Sequence, residues 1–166
     1  IAASYGLRVV PIDIEWGTSP RTDVIEEALN KSPDAKALYT TLCETSTATV
    51  YDIKAIGNLV KGTNLLFVVD VISGLGADDF QNDAWGVDIA VCGSQKGLMI
   101  PPGLAFCSVS QKAWKACELS RLPKFYFDFK KYKKAYLDSD TPFTSAITLV
   151  IGLKKAVEVI NKKGID

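Results

Sequence analysis

Residues 65–76 read Leu65-Leu66-Phe67-Val68-Val69-Asp70-Val71-Ile72-Ser73-Gly74-Leu75-Gly76. Five apolar side chains run from Leu65 to Val69 and end on a carboxylate. A strand with one wet face alternates apolar and polar residues, whereas an unbroken run fits a strand buried on both faces. Upstream, Ala37 to Leu42 reads as a second strand and Leu7 to Ile14 as a third, with a turn at Trp16-Gly17-Thr18-Ser19-Pro20. Asp23 and Glu26 have the spacing of a capping-type start for a helix through Leu29, and another helix is expected from Asp52 to Val60. Downstream, strands are expected at Ile89 to Cys92 and Leu104 to Val109, then a helix from Gln111 to about Leu119. Arg121 to Asp140, rich in Lys, Phe and Tyr, reads as an irregular surface connection. A last helix is expected from about Ser145 to Lys163, with Leu149, Leu153, Ala156, Val157 and Ile160 on one face. Strands alternating with helices predict a three-layer α/β/α architecture with a mainly parallel sheet and right-handed crossovers.

Composition removes whole classes of function. Nineteen Lys+Arg balance nineteen Asp+Glu, so the 166-residue chain has no bulk attraction for nucleic acid or an anionic membrane, and neither is expected as a partner. No apolar run is long enough to span a bilayer. With 48% hydrophobic and 23% charged residues, disorder is excluded. There is no histidine, which removes Ser-His-Asp and Cys-His nucleophile systems and every His-ligated metal site; no metal is expected. Acid–base chemistry must then come from lysine, carboxylates, tyrosine or a cofactor. Cys43, Cys92, Cys107 and Cys117 form no C-x-x-C pair. Cys92 and Cys107 lie in apolar runs and read as small core residues, and the four together read as reduced thiols of an intracellular, cytoplasmic protein. The first residue is Ile1, which suggests a chain that starts inside a larger reading frame.

In parallel sheets ligands bind beyond the carboxyl ends of the strands, so the residues that follow each apolar run carry the functional information. Glu44-Thr45-Ser46-Thr47 follows the strand at 37–42. Asp70 and Ser73-Gly74-Leu75-Gly76 follow the strand at 65–69, and Gly93-Ser94-Gln95-Lys96-Gly97 follows the strand at 89–92. Asp70 could simply cap its turn. The glycines do not complete a dinucleotide fingerprint, because position 79 is Asp79, and no G-x-x-x-x-G-K-[ST] occurs. A partly buried lysine becomes a nucleophile and base near neutral pH and can form a Schiff base with an aldehyde cofactor. A carboxylate beside a pyridine nitrogen keeps that nitrogen protonated, and hydroxyls with backbone amides suit a phosphate. Together they meet the needs of pyridoxal 5′-phosphate without histidine.

The stretch from Val68 to Phe106, with D-x-x-S-x-x-G, G-S-Q-K-G and P-P-G in that order, resembles the class V aminotransferases of the fold-type-I pyridoxal phosphate enzymes. It is most similar to the alanine–glyoxylate and serine–glyoxylate (serine–pyruvate) branch, and the likeness extends through Glu44-Thr45-Ser46-Thr47 and Thr141-Pro142-Phe143-Thr144. The resemblance implies that Lys96 forms the Schiff base and that Asp70 pairs with the pyridine nitrogen. It implies that Thr45 lies near the phenolic oxygen, Ile72 packs on the ring and Gln95 contacts the phosphate. Thr144 would reach the phosphate of a neighbouring subunit in a homodimer, and Ser94 would have a supporting position. The expected substrates are a small amino acid, alanine or serine, and an oxo acid, glyoxylate or pyruvate. Cysteine desulfurases carry His before the lysine and kynureninases usually Tyr, so Gln95 favours the aminotransferases.

Departures from the family pattern set limits on the reading. The family's N-terminal phosphate loop and stacking aromatic would lie before Ile1, and the arginine that grips a substrate carboxylate would lie beyond Asp166. Arg8, Arg21 and Arg121 do not occupy that position, and Thr141 stands where the family often has tyrosine. Residues 1–140 are thus read as part of a cofactor-binding large domain, and 141–166 as its helix leading toward a small domain. The competing expectation is a non-catalytic, truncated or split homologue acting as an interaction module.

Overall fold

The computed structural model describes residues 1–164. Four strands form one sheet: β1 (Ala37–Thr41), β4 (Leu66–Asp70), β5 (Ile89–Gly93) and β6 (Ala105–Val109), in the order β1-β4-β5-β6. A separate two-stranded hairpin, β2 (Cys43–Glu44) with β3 (Thr49–Val50), follows β1. The helices are α1 (Thr22–Asn30), α2 (Ile53–Val60), α3 (Gln111–Leu119), α4 (Phe129–Leu137) and α5 (Ile147–Lys163). β1 and β5 both run parallel to β4, while β6 is antiparallel to β5. The sheet is therefore mainly parallel, as the apolar runs predict.

The residue pattern of β4 explains its central place. Phe67 and Val69 are wholly buried, and on the other face Val68 is buried as well. Phe67 and Val69 join Leu38 of β1, Ala90 and Cys92 of β5, Ile25 of α1, and Ile53, Ile56 and Val60 of α2 in one apolar core. Burying each of the Val, Leu, Ile and Phe side chains among them contributes on the order of 1.5–3 kcal/mol. α2 starts where sequence places it, because the Asp52 carboxylate accepts a hydrogen bond from Ala55 N at 2.8 Å. Gly57 lets α2 meet the chain at Trp85: a Cβ there would stand 2.0 Å from the Trp85 carbonyl oxygen. The opposite sheet face, with Tyr39, Val68 and Val91, opens into a groove of about 1270 Å³.

A buried carboxylate that sequence reasoning passed over ties the layers together. Asp88, directly before β5, is 5% exposed. Its Oδ2 accepts from Phe67 N at 2.9 Å and pairs with Lys112 Nζ at 2.7 Å, while Oδ1 accepts from Ser110 Oγ at 2.6 Å. Ser110 Oγ also caps α3 by accepting from Ala113 N, and Lys112 Nζ donates to Leu65 O. One carboxylate thereby joins β4, β5 and the start of α3.

Four expectations need correction. Leu7 to Ile14 is not a strand: no described strand pairs with it, and Leu7, Val9 and Val10 are exposed, while Ile12 packs against the core. α1 begins at Thr22 without a side-chain cap, because the Asp23 carboxylate is taken by the Arg21 guanidinium instead. Residues 121–140 are not irregular throughout, since α4 forms within them. Asp128 caps α4 by accepting from Lys130 N, Phe129 packs on Trp114, and Lys133 lies over the Trp114 ring. Cys107 is exposed on β6 rather than buried, whereas Cys92 is in the core. All four thiols are free. Among the described residues no helix is long and apolar enough to cross a membrane.

Replacing Asp88 by alanine would leave the buried Phe67 N–H without a partner and remove the carboxylate shared by Ser110 and Lys112. The expected loss is about 3 kcal/mol of unfolding free energy. It is read as a lower denaturant midpoint at unchanged slope, and an unchanged midpoint would show that the carboxylate does not tie the sheet.

Candidate functional site

The parallel register sets Thr41, Asp70 and Val91 side by side, at the ends of β1 and β4 and two residues before the end of β5. Just beyond that rim is a cleft of about 260 Å³, lined by Thr41, Cys43, Glu44, Thr45, Asp70, Ile72, Ser73 and Lys96. Four of the six residues singled out by sequence, Lys96, Asp70, Thr45 and Ile72, thus share one cavity. The other two do not line it. The Gln95 amide fills the space a side chain at Gly93 would need, and Thr144 stands exposed before α5.

Asp70 closes β4 and does cap its turn, with Oδ1 accepting from Ile72 N at 2.8 Å. That bond uses one carboxylate oxygen, and the residue still faces the cleft. Capping its turn therefore leaves Asp70 on the cleft wall. Lys96 is held by its loop. Ser94, fully buried, donates from Oγ to Pro101 O at 2.7 Å and accepts from Leu104 N at 3.2 Å, closing the segment between β5 and β6. Within it, Met99 N donates to Lys96 O at 2.8 Å. Gly97 lets this loop touch the turn after β4, because a Cβ there would lie 2.2 Å from Leu75 O. Among the described residues Asp70 and Lys96 form no ion pair, with each other or elsewhere. The two side chains thus line one cavity, unpaired among the described residues.

The remaining wall comes from the hairpin after β1. Thr45 Oγ1 and Ser73 Oγ are 2.5 Å apart. Glu44 Oε1 accepts from Ser46 Oγ at 2.6 Å and from Ser46 N at 3.0 Å. These bonds, the hydroxyl's first, hold the Glu44 carboxyl below the ordinary glutamate range. Burial, then the Glu44 charge, raises the Tyr51 phenol above its usual value. Ser73, Glu44, Cys43 and Thr41 had no role assigned from sequence. The signal for Ser73 was present in the Asp70-x-x-Ser73 interval, which returns to the same rim within one turn. Glu44 stood in the polar set after the strand at 37–42, whereas Cys43 carried no comparable signal, because the hairpin that presents it has only two residues in each strand.

An aromatic cluster fixes the approach to α5. Tyr126 stacks on Phe143 at 4.5 Å between ring centroids, and Phe125 and Tyr132 contact the same ring. Phe143 adjoins Thr144, so segment 121–128 and α4 together hold the Thr141–Thr144 turn.

A family model for class V aminotransferases matches residues 1–166. A soluble hydrogenase small subunit from Synechococcus sp. (strain PCC 6716) is 41% identical over 169 residues, covering 100% of this chain and 44% of that protein. The serine–glyoxylate aminotransferase of Methylorubrum extorquens is 38% identical over 175 residues, with 100% and 44% covered. Among solved structures, the alanine–glyoxylate aminotransferase of Nostoc sp. superimposes with a TM-score of 0.93 at 29% identity, covering 99% of this chain and 44% of that one. The chain spans less than half the length of these proteins.

Removing the Ser46 hydroxyl by Ser46→Ala is expected to raise the Glu44 pKa toward the ordinary range. In the native protein that lowered value contributes stability above the ordinary glutamate pKa, and the contribution is lost as pH falls through the lowered one. The variant should therefore lose this contribution, and an NMR titration of the Glu44 carboxyl carbon reads the change directly. An unmoved titration would assign the shift to another group.

Proposed function

The chain belongs to the class V aminotransferases, and from that membership we propose that it carries the cofactor cleft of an enzyme transferring an amino group from alanine or serine to glyoxylate or pyruvate. The observation that carries this reading is the meeting of Lys96 and Asp70 in one cavity without an ion pair between them. The serine–glyoxylate and alanine–glyoxylate relatives support the substrate class.

The donor set fits pyridoxal 5′-phosphate. Lys96 offers a free amine for the aldehyde carbon, Asp70 a carboxylate for the ring nitrogen, Thr45 a hydroxyl for the phenolic oxygen and Ile72 an apolar wall for the ring. Bound there, the cofactor supplies an electron sink for the pair left at the substrate Cα when its proton departs. The Lys96 amine, on the wall of the same cleft, would be the base for that proton. Asp70, with one oxygen steadied by Ile72 N, would hold a proton at the ring nitrogen. Gln95 and Thr144 are proposed phosphate contacts, Thr144 for a neighbouring subunit in a homodimer, and the cluster around Phe143 would fix its approach. Residues 1–140 would form part of the large domain and 141–166 its connection onward.

Lys96→Ala tests the assignment in the whole protein. Borohydride treatment with the cofactor should label Lys96 in the native protein and leave the variant unlabelled. Transamination should fall by about a thousandfold or more. Normal turnover in the variant, or a label on another lysine, would overturn the reading.

A further inference from the structure

Two hydroxyls meet on the cleft wall, Thr45 Oγ1 and Ser73 Oγ, 2.5 Å apart. Each brings one proton, and a single proton closes the contact. Neither oxygen has another hydrogen-bond partner among the described residues. The accepting hydroxyl therefore keeps its own proton to donate, and both side chains line the cavity that holds Lys96 and Asp70.

The pair is braced from both sides. On the Ser73 side, Gly74 lets the turn lie flush on Leu42, since a Cβ there would stand 2.6 Å from the Leu42 side chain. Leu75 N donates to Val71 O at 2.9 Å, and Leu42 N donates to Asp70 O at 2.8 Å, which locks this turn to the end of β1. On the Thr45 side, the Glu44–Ser46 bonds close the first turn of the hairpin. The two hydroxyls are thus presented by separately anchored turns.

We propose that Ser73 is a positioning residue whose hydroxyl donates to Thr45 Oγ1 and so aims the Thr45 proton at an anionic oxygen of the group bound beside Lys96. The inference rests on the cofactor reading above and names the residue that sets the direction of the Thr45 hydroxyl. Hydrogen bonds in series polarise one another, so Thr45 donates more strongly than an isolated threonine would. Ser73 supplies this polarisation through Thr45. A weaker donor leaves the anionic oxygen more basic, and a proton shared by that oxygen is then held to higher pH.

The test is a pH titration of the visible absorbance of the protein loaded with pyridoxal 5′-phosphate, in the native chain and in Ser73→Ala, Ser73→Thr, Thr45→Ala and the Thr45→Ala/Ser73→Ala double variant. Ser73→Ala should move the midpoint upward by about half a pH unit, the scale of one weakened hydrogen bond. Ser73→Thr keeps the hydroxyl and should titrate like the native protein. On the Thr45→Ala background the Ser73 substitution should add nothing, because its effect passes through Thr45. If Ser73→Ala does not fold, Ser73→Cys, of similar size and a poorer donor, should shift in the same direction. An unmoved midpoint, a shift in Ser73→Thr equal to that of Ser73→Ala, or an additive shift in the double variant would overturn the proposal. Native protein with no absorbance borne by Lys96 overturns both the cofactor reading and this inference, whereas normal native absorbance with an unmoved Ser73→Ala overturns this inference alone.

Discussion

Parallel pairing of β1, β4 and β5 is the constraint from which the site follows. Because the three strands run the same way in the register Thr41, Asp70 and Val91, their carboxyl ends must fall on one rim. The chain then leaves that rim three times: into the hairpin with Glu44 and Thr45, into the turn with Ile72 and Ser73, and into the loop with Lys96. Residues far apart in sequence become neighbours with no special pairing between them. The antiparallel β6 adds a consequence of its own, since it brings the chain back beside β5 so that the buried Ser94 closes the lysine loop through Pro101 and Leu104.

The opposite end of the sheet is fixed by different chemistry. Asp88 gathers an amide of β4, the cap of α3 and the Lys112 ammonium in a nearly dry position, where leaving any one of them unpaired is costly. At that end a charge is fully used by the chain. At the cleft, Lys96 and Asp70 form no ion pair among the described residues. This contrast separates a carboxylate that holds the fold from one available to a ligand. Both follow or precede an apolar strand run in sequence, so only the spatial partners distinguish them.

That distinction also marks how much was legible in the sequence. The runs at 37–42, 65–69, 89–92 and 104–109 each became a strand, and polar residues after the first three line the cleft. Not every run is covered throughout, however: Tyr39 of β1 and Cys107 of β6 are exposed. Leu7 to Ile14 has the same composition but no edge that receives its backbone groups, and an apolar run reports a preference for burial rather than a partner. α4 was hidden because its lysines obscure the helical period. In the structure they are placed against neighbouring groups, Lys130 Nζ on Glu118 O, Lys131 Nζ on Phe125 O and Lys133 over Trp114. The roles of Asp88, Ser110 and Lys112 depend on contacts across more than 20 residues of sequence, which no local pattern encodes. Ser73 falls between these cases: its spacing from Asp70 was visible, but its contact with Thr45 needs the hairpin and the β4 turn in place.

The most direct measurement is a crystal structure of the protein soaked with pyridoxal 5′-phosphate. The account predicts electron density continuous from Lys96 Nζ into the cofactor, with the ring nitrogen in hydrogen-bonding reach of Asp70 and the ring against Ile72. Cofactor joined to another lysine, or bound away from the rim formed by β1, β4 and β5, would contradict it.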